Sequence, residues 1–282
     1  MRSNNEIQQQ ILDIATSDPR IKAVLLNGSR ANDNVAPDPY QDFDLVFVVQ
    51  ELAPFLADHT WTDIFGKKIL WQLPDEMSFG TEEAKDGFTY LMVFEDGHRI
   101  DLTLFPLDKL GLSFERDSLT KVWLDKEGHF GDIPPASEAD YLVPRPLIKE
   151  FQDICNEFWW VCPYVAKALA REEIIHAKEI MEGPVRQMFH RILEIHVGVQ
   201  TDFAVSLGKG LRFIQPYLSE SEYAQILLTY PNHENHNIRE CLERMMAIFS
   251  TYAQAAAQAL TFSYNLKEEM GSKTVLHMIL SV

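Results

Sequence analysis

The sequence predicts an α/β (α+β) half, built on a mixed sheet flanked by helices, followed by an all-α helical bundle. Up to about residue 124, apolar residues occur in short runs or with a period of two, as in strands. Two proline-rich stretches follow, at residues 133–135 and 143–146. After Pro146 the apolar period lengthens to about 3.6, as in helices. We therefore expect one domain over residues 1–135 and a helical domain over residues 136–282.

The first half opens with an amphipathic helix over residues 4–16, where Ser3 and Glu6 form a capping-box pattern. Asp96-Gly97 is a hairpin signal between two later strands, and Asp125–Gly128 turns an edge strand. Residues 80–87 are expected to form a loop. The predicted strands span residues 21–26, 43–49, 69–73, 88–94, 99–105 and 122–124.

In the second half, a buried apolar stripe predicts a long helix over residues 147–172, with a bend at Pro163. Pro184, after Gly183, suits the first position of a new helix. Further helices are predicted over residues 174–181, 185–199, 219–228 and 238–260.

The most informative stretch is the polar segment between the first two strands. Gly28-Ser29 breaks the first strand, and a glycine turn with free backbone N–H groups favours anion binding. Asp42 and Asp44 open the second strand and, two apart, point to one face. Paired carboxylates repel each other unless a cation lies between them, and their hard oxygen ligands suit Mg²⁺. Each motif alone is also compatible with an ordinary solvated turn.

A third carboxylate, Asp101, lies on the face of the strand over residues 99–105 that also carries Thr103 and Phe105. Together with the Gly-Ser turn and the Asp pair, it completes a set that resembles the active site of the nucleotidyltransferase superfamily. The sequence between these motifs is similar to that of the aminoglycoside 6-adenylyltransferases, also called streptomycin adenylyltransferases, over about residues 1–260. The stretches that carry this resemblance are GSRANDN, PDPYQDFDL, FGKKILWQLPDEM, FEDGHRIDLTLFPL and NEFWWVCPYVAKALARE.

The resemblance implies Mg²⁺-dependent transfer of AMP from ATP to a hydroxyl of an aminoglycoside such as streptomycin, with release of pyrophosphate and resistance to the antibiotic. It implies that Asp42 and Asp44 bind Mg²⁺ and that Ser29 with nearby backbone amides holds the β- and γ-phosphates. Asp101 would complete the metal site or act as general base, and these two roles stay open. Glu95 is a second candidate for the base or a substrate contact.

Several cationic and acidic side chains are candidates for binding ATP or the acceptor. Arg30 follows the Gly-Ser turn and is either a phosphate contact or an exposed loop residue. Lys167 and Arg171, four apart on the long helix, are further candidate phosphate contacts and are equally compatible with a surface pair. Lys209 lies in a glycine-rich, basic segment that lacks P-loop spacing and is a candidate for neutralising triphosphate charge. On the long helix, the candidate acceptor contacts are Asp153, Glu157 and Trp160, beside Glu150, and the alternative is a solvated acidic face. The resemblance favours an acceptor between the two domains.

The composition limits the possible partners. The formal net charge is −17, from 42 acidic and 25 basic residues, which disfavours nucleic acid and anionic membranes and suits a cationic small molecule. Three cysteines argue against a disulfide framework, and no apolar segment of membrane-spanning length or signal peptide is visible. We expect a cytoplasmic monomer or homodimer.

A function of another class remains open, because the nucleotidyltransferase superfamily fold also serves in non-catalytic nucleotide-binding and regulatory modules. An enzyme acting on a different small molecule or on a protein is a further alternative. The intact set of three carboxylates favours an active enzyme.

Overall fold

The computed structural model describes residues 2–79 and 86–281, so most of the predicted loop over residues 80–87 lies outside the described residues. The chain divides into two compact units, residues 1–140 and 141–282, each of which has its own apolar core. The mixed sheet of the first unit and the helices of the second confirm the predicted fold class. The predicted roles of the two domains, nucleotide binding by the first and acceptor binding by the second, stay a prediction.

The first unit contains a six-stranded sheet in the order β3-β4-β5-β2-β1-β6. All six predicted strands match the observed strands within one residue at each end. The strands are β1 (Ile21–Asn27), β2 (Phe43–Val49), β3 (Lys68–Gln72), β4 (Phe88–Phe94), β5 (Arg99–Pro106) and β6 (Lys121–Asp125).

The centre of the sheet mixes the two pairing modes. β2 pairs parallel with β5, in a register that places Asp44 opposite Asp101, and antiparallel with β1, in a register that places Asn27 opposite Asp44. The end of β1 and the starts of β2 and β5 therefore meet at one edge of the sheet. This edge holds the candidate active site.

Both faces of the central strands are covered, as the continuous apolar run of β2 predicts. Helix α1 (Asn4–Ser17) begins at the predicted capping box and packs on one face through Ile7, Ile11 and Ala15. A short helix, α2 (Ala53–Leu56), and a 3₁₀ segment, His59–Phe65, follow β2. The opposite face carries a smaller buried cluster of Leu25, Val46 and Phe105.

The second unit is helical, and the long first helix is confirmed with Pro163 inside it. Near Pro184 the helices join through a π-helical segment, Met181–Val185, where Gly183 leaves helical geometry. The helices are α3 (Ile148–Ala170), α4 (Ile174–Ile180), α5 (Arg186–Gln200), α6 (Glu220–Leu227), α7 (Asn235–Leu260) and α8 (Leu266–Leu280).

Helix α8 has no counterpart among the predicted helices. Its buried residues are Glu269, Ser272 and Leu276, two of them polar, so its sequence lacks a clear apolar stripe. Glu269 is stabilised by hydrogen bonds from Ser250 at 2.9 Å and from Tyr264 at 2.8 Å, partners that the local sequence does not reveal. Across residues 2–79 and 86–281, none of the helices combines the length and apolar character that crossing a membrane requires.

Candidate active site

Asp42, Asp44 and Asp101 gather at the sheet edge formed by the end of β1 and the starts of β2 and β5. Asp44 and Asp101 face each other in the parallel β2–β5 ladder, and Asp42 precedes β2 by one residue. Residues two apart on a strand project from the same face, so the carboxylates share a face with Val46 and Phe105. The sheet therefore brings together the three acids that the sequence singles out.

The Gly-Ser turn lies directly against this group. Gly28, Ser29 and Arg30 form a 3₁₀ turn after β1, and the Ala31 N–H donates to the Gly28 carbonyl at 3.0 Å. Gly28 has φ +69°, and a Cβ there would overlap the Asp44 Oδ2 atom. Glycine is thus required both for the backbone conformation and for the close approach of the turn to Asp44.

The three carboxylates repel one another in a partly buried setting. Burial, followed by repulsion from Asp101 and Asp42, raises the pKa of Asp44 to about 6 from its usual value of 3.8. Burial and the negative charge of Asp101 also raise the pKa of Asp42. These acids lie closer together than their own charges favour, a condition that an added cation relieves.

A fourth side chain, Arg99, joins the group and was not singled out from the sequence. Its Nε and Nη2 atoms each donate to one carboxylate oxygen of Asp101 at 2.7 Å, and Nε lies 3.6 Å from an Asp42 carboxylate oxygen. The hydrogen bonds to Asp101 raise the pKa of Arg99. Its spacing of two from Asp101 was the available signal, since that spacing places both on one strand face.

Arg30 occupies a different position from Arg99. Its guanidinium donates to the backbone carbonyls of Asp42 at 2.9 Å and Gln41 at 2.6 Å, and it lies 3.9 Å from the centre of the Phe43 ring. Burial lowers the pKa of Arg30. In this arrangement Arg30 fixes the loop before β2, and a phosphate contact by Arg30 stays a prediction.

The donor chemistry of the site suits a hard divalent cation, because carboxylate oxygens are the usual protein ligands of Mg²⁺. In the arrangement seen across the described residues, however, no group of three or more His, Cys, Asp or Glu side chains is placed to hold a metal ion. Two of the Asp101 contacts go to Arg99 instead. The side-chain types therefore suit Mg²⁺, while the Asp101 carboxylate is hydrogen-bonded to the Arg99 guanidinium.

Glu95 directly follows β4, in the hairpin turn that leads to β5. Its carboxylate accepts a hydrogen bond from Lys67 Nζ at 2.5 Å, and its side chain is 53% exposed. The role of Glu95 as base or substrate contact stays a prediction.

The remaining candidates lie in the helical unit. Trp160 is 65% exposed on α3, and Asp153 forms an ion pair with Lys149. Glu157 is exposed on the same helix. Lys167 lies 4.9 Å from the centre of the Tyr164 ring, Arg171 caps the end of α3, and Lys209 begins a 3₁₀ turn, Lys209–Leu211.

Two neighbouring cavities between α3 and α8 are lined by different candidate residues. The first, of about 440 Å³, is lined by Trp160 and Lys167 among others, and the second, of about 550 Å³, by Asp153. Asn156 and Glu268 line both cavities. Glu268 belongs to α8, a helix that the sequence pattern did not predict, so these two cavities were not predictable from the sequence.

The chain is similar to known proteins over nearly its whole length. The model of the streptomycin adenylyltransferase family matches residues 1–279. An aminoglycoside 6-adenylyltransferase of Campylobacter jejuni is 37% identical over 276 residues, covering 98% of this chain and 96% of the relative. One from Bacillus subtilis (strain 168) is 36% identical over 265 residues, covering 94% of this chain and 93% of the relative.

A crystal structure of an aminoglycoside 6-adenyltransferase from Bacillus subtilis covers 100% of both chains at 31% identity, with a TM-score of 0.49. The family resemblance read from the sequence is confirmed by the family match and the curated relatives. Because that match runs through both units and not only over the motifs, this chain belongs to the streptomycin adenylyltransferase family of nucleotidyltransferases.

Proposed function

We propose that this chain transfers AMP from ATP to a hydroxyl of an aminoglycoside antibiotic, the 6-position of streptomycin, and so confers resistance. The names of its relatives give the reaction class. The gathering of Asp42, Asp44 and Asp101 beside the Gly28 turn carries the proposal, because each has a use in transferring a nucleotidyl group.

In this reaction the acceptor oxygen attacks the α-phosphorus of ATP while the bond to the bridging oxygen breaks. Pyrophosphate leaves, and the hydroxyl proton passes to a base. A Mg²⁺ ion, when bound, neutralises phosphate charge and lowers the barrier to deprotonating the hydroxyl. Asp42 and Asp44 are the residues that would hold it.

Asp101 has two possible tasks in the proposal. It faces Asp44 across the ladder, which suits a shared cation, and it is 19% exposed, which suits proton transfer with a bound hydroxyl. The two tasks differ in one respect: a base is required for chemistry only, whereas a metal ligand is also required for binding of the metal–nucleotide complex.

The Gly28–Arg30 turn supplies the proposed phosphate site. Backbone N–H groups in a tight turn with one residue at positive φ form an anion-binding concavity, and Ser29 adds a hydroxyl. Its contact with Asp44 would keep the triphosphate next to the metal. Lys167, Arg171 and Lys209 stay predicted phosphate contacts.

For the acceptor, we propose the exposed face of α3 that carries Asp153, Glu157 and Trp160. An exposed indole suits the face of a sugar or an ammonium group, and carboxylates suit the ammonium and guanidinium groups of aminoglycosides. The net charge of −17 favours attraction of such a polycation. A cytoplasmic location, a monomeric or dimeric state and the absence of nucleic-acid and membrane partners stay predictions.

The test is pyrophosphate release by the purified full chain with ATP, Mg²⁺ and a panel that includes streptomycin and kanamycin. We expect release with streptomycin and its loss in Asp42→Asn. Asp13→Asn is the matched control, because Asp13 is an exposed acid of α1 whose carboxylate bonds only the Gln9 side chain among the contacts described. Equal inactivity of wild type and Asp42→Asn across the panel would refute the substrate assignment.

A further inference from the structure

We infer that Arg99 is a tethered counter-cation, which neutralises the carboxylates before a metal arrives and must release Asp101 when the metal binds. The inference rests on the proposed function, because it assumes that the metal binds these carboxylates. It assigns the role of a competing counter-ion to a residue outside the predicted site. In this view the two cations, guanidinium and metal, compete for one set of oxygens.

The first support is the contact pattern. Both Asp101 oxygens are taken up by a bidentate pair with Arg99 at 2.7 Å, and the guanidinium also reaches toward Asp42 at 3.6 Å. Arg99 precedes Ile100 on β5 as Asp42 precedes Phe43 on β2, and Ile100 and Phe43 are register partners. The strand pairing thus places Arg99 beside Asp42, one of the two acids proposed to hold the metal.

The second support is electrostatic. The three carboxylates lie on one face at this end of the sheet and repel one another, and the Arg99 guanidinium lies within ion-pair distance of two of them, Asp101 and Asp42. Without Arg99 this repulsion is uncompensated, so an added metal cation is attracted more strongly. A guanidinium on a neighbouring strand position supplies positive charge inside the chain and offsets this repulsion until a metal replaces it.

The third support is that the Arg99 side chain can move away from the carboxylates, whereas the Arg30 side chain is held in place. The Arg99 side chain is 42% exposed, so solvent can receive it. Arg30 is fixed by two backbone carbonyls and by the Phe43 ring, and its guanidinium bonds main-chain oxygens instead of carboxylates. Of these two cations, only Arg99 occupies oxygens that a metal needs.

The test is titration of the nucleotide-free full chain with Mn²⁺ alone, following free Mn²⁺ by electron paramagnetic resonance. A charge-assisted bidentate pair has to be broken before the metal binds in wild type, so Arg99→Gln should bind Mn²⁺ about tenfold more tightly. Arg99→Lys keeps the charge without the bidentate geometry and should fall between the two. A purely structural arginine would give the opposite sign, because its loss would disorder the ligands.

Arg20→Gln is the matched control. Arg20 forms the same kind of bidentate pair with Asp18, two residues away in the same unit, and should leave Mn²⁺ affinity unchanged. Unchanged or weaker Mn²⁺ binding by both Arg99 variants overturns the inference, and if wild type still binds Mn²⁺ with ATP and transfers AMP, the proposed function stands. If wild type and Arg99→Gln take up no Mn²⁺ with or without ATP, both proposals are overturned.

Discussion

Replacing Asp44 with Asn should make the metal-free protein more stable at neutral pH while abolishing AMP transfer. The pKa of Asp44 is raised to about 6 in the folded chain, from a usual value of 3.8. A raised pKa of an acid means that folding favours the protonated form. Its stabilising effect is full below pH 3.8 and is lost as the pH rises through about 6, so ionised Asp44 opposes folding at pH 7.5.

The magnitude follows from the two pKa values. Their difference corresponds to about 3 kcal/mol, and because the carboxyl is only partly buried, solvent screening reduces this to about 1–2 kcal/mol. An amide has no charge to lose, so Asp44→Asn should raise the Tm at pH 7.5 by about 2–4 °C for each kcal/mol. At pH 4 the difference from wild type should nearly vanish.

The assay is calorimetric unfolding of wild type and variant in a chelator, at pH 7.5 and pH 4. Asp96→Asn is the control of opposite sign, because hydrogen bonds from Arg2 hold the pKa of Asp96 well below its usual range. Its stabilisation is present above the usual pKa and lost as the pH falls, so Asp96→Asn should destabilise at pH 7.5. An Asp44→Asn protein that is no more stable than wild type at pH 7.5, or that gains equally at both pH values, would refute the reasoning.

Three further results are expected. Gly28→Ala should lose stability by about 1–2 kcal/mol through backbone strain and should also lose AMP transfer, because its Cβ displaces the Asp44 carboxylate. Gly131→Ala should have similar strain but stay active, because no neighbour lies within 4 Å of its Cβ. Unfolding and AMP transfer measured on both variants separate the two effects. Arg186→Ala should destabilise by about 3–5 kcal/mol in urea unfolding, since Arg186 is buried and hydrogen-bonded to Glu182 and Thr229; a loss below 1 kcal/mol would contradict this. Chelation should stop AMP transfer and Mg²⁺ should restore it with an unchanged circular dichroism spectrum; activity that persists in chelator would argue against a metal-dependent reaction.

Local sequence was sufficient where a strand's pattern is set by its own residues. β2 and β4 have the predicted boundaries because each is an apolar-rich run bounded by polar or turn residues. The capping box at Ser3 also formed as expected. The carboxylates were predicted as a set by motif order, but the register that places Asp101 opposite Asp44 is not encoded locally, since parallel pairing has no hairpin to fix it.

Sequence was insufficient where a residue's environment comes from distant segments. Glu269 is buried on α8 and accepts hydrogen bonds from Ser250 of α7 and from Tyr264, contacts that the pattern of α8 itself does not predict. Arg99 was not singled out from the sequence, although it lies two residues before Asp101. Only the pairing of β5 with β2 shows that Arg99 lies beside Asp42 as well as Asp101.

The most direct measurement is the fate of the α-phosphorus label of ATP when the wild-type chain is incubated with Mg²⁺ and streptomycin. The account predicts that the label moves to streptomycin as a single AMP adduct with wild type and that Asp101→Asn yields none. A labelled adduct formed by Asp101→Asn at the wild-type rate, or no adduct from the folded wild-type chain, would contradict it.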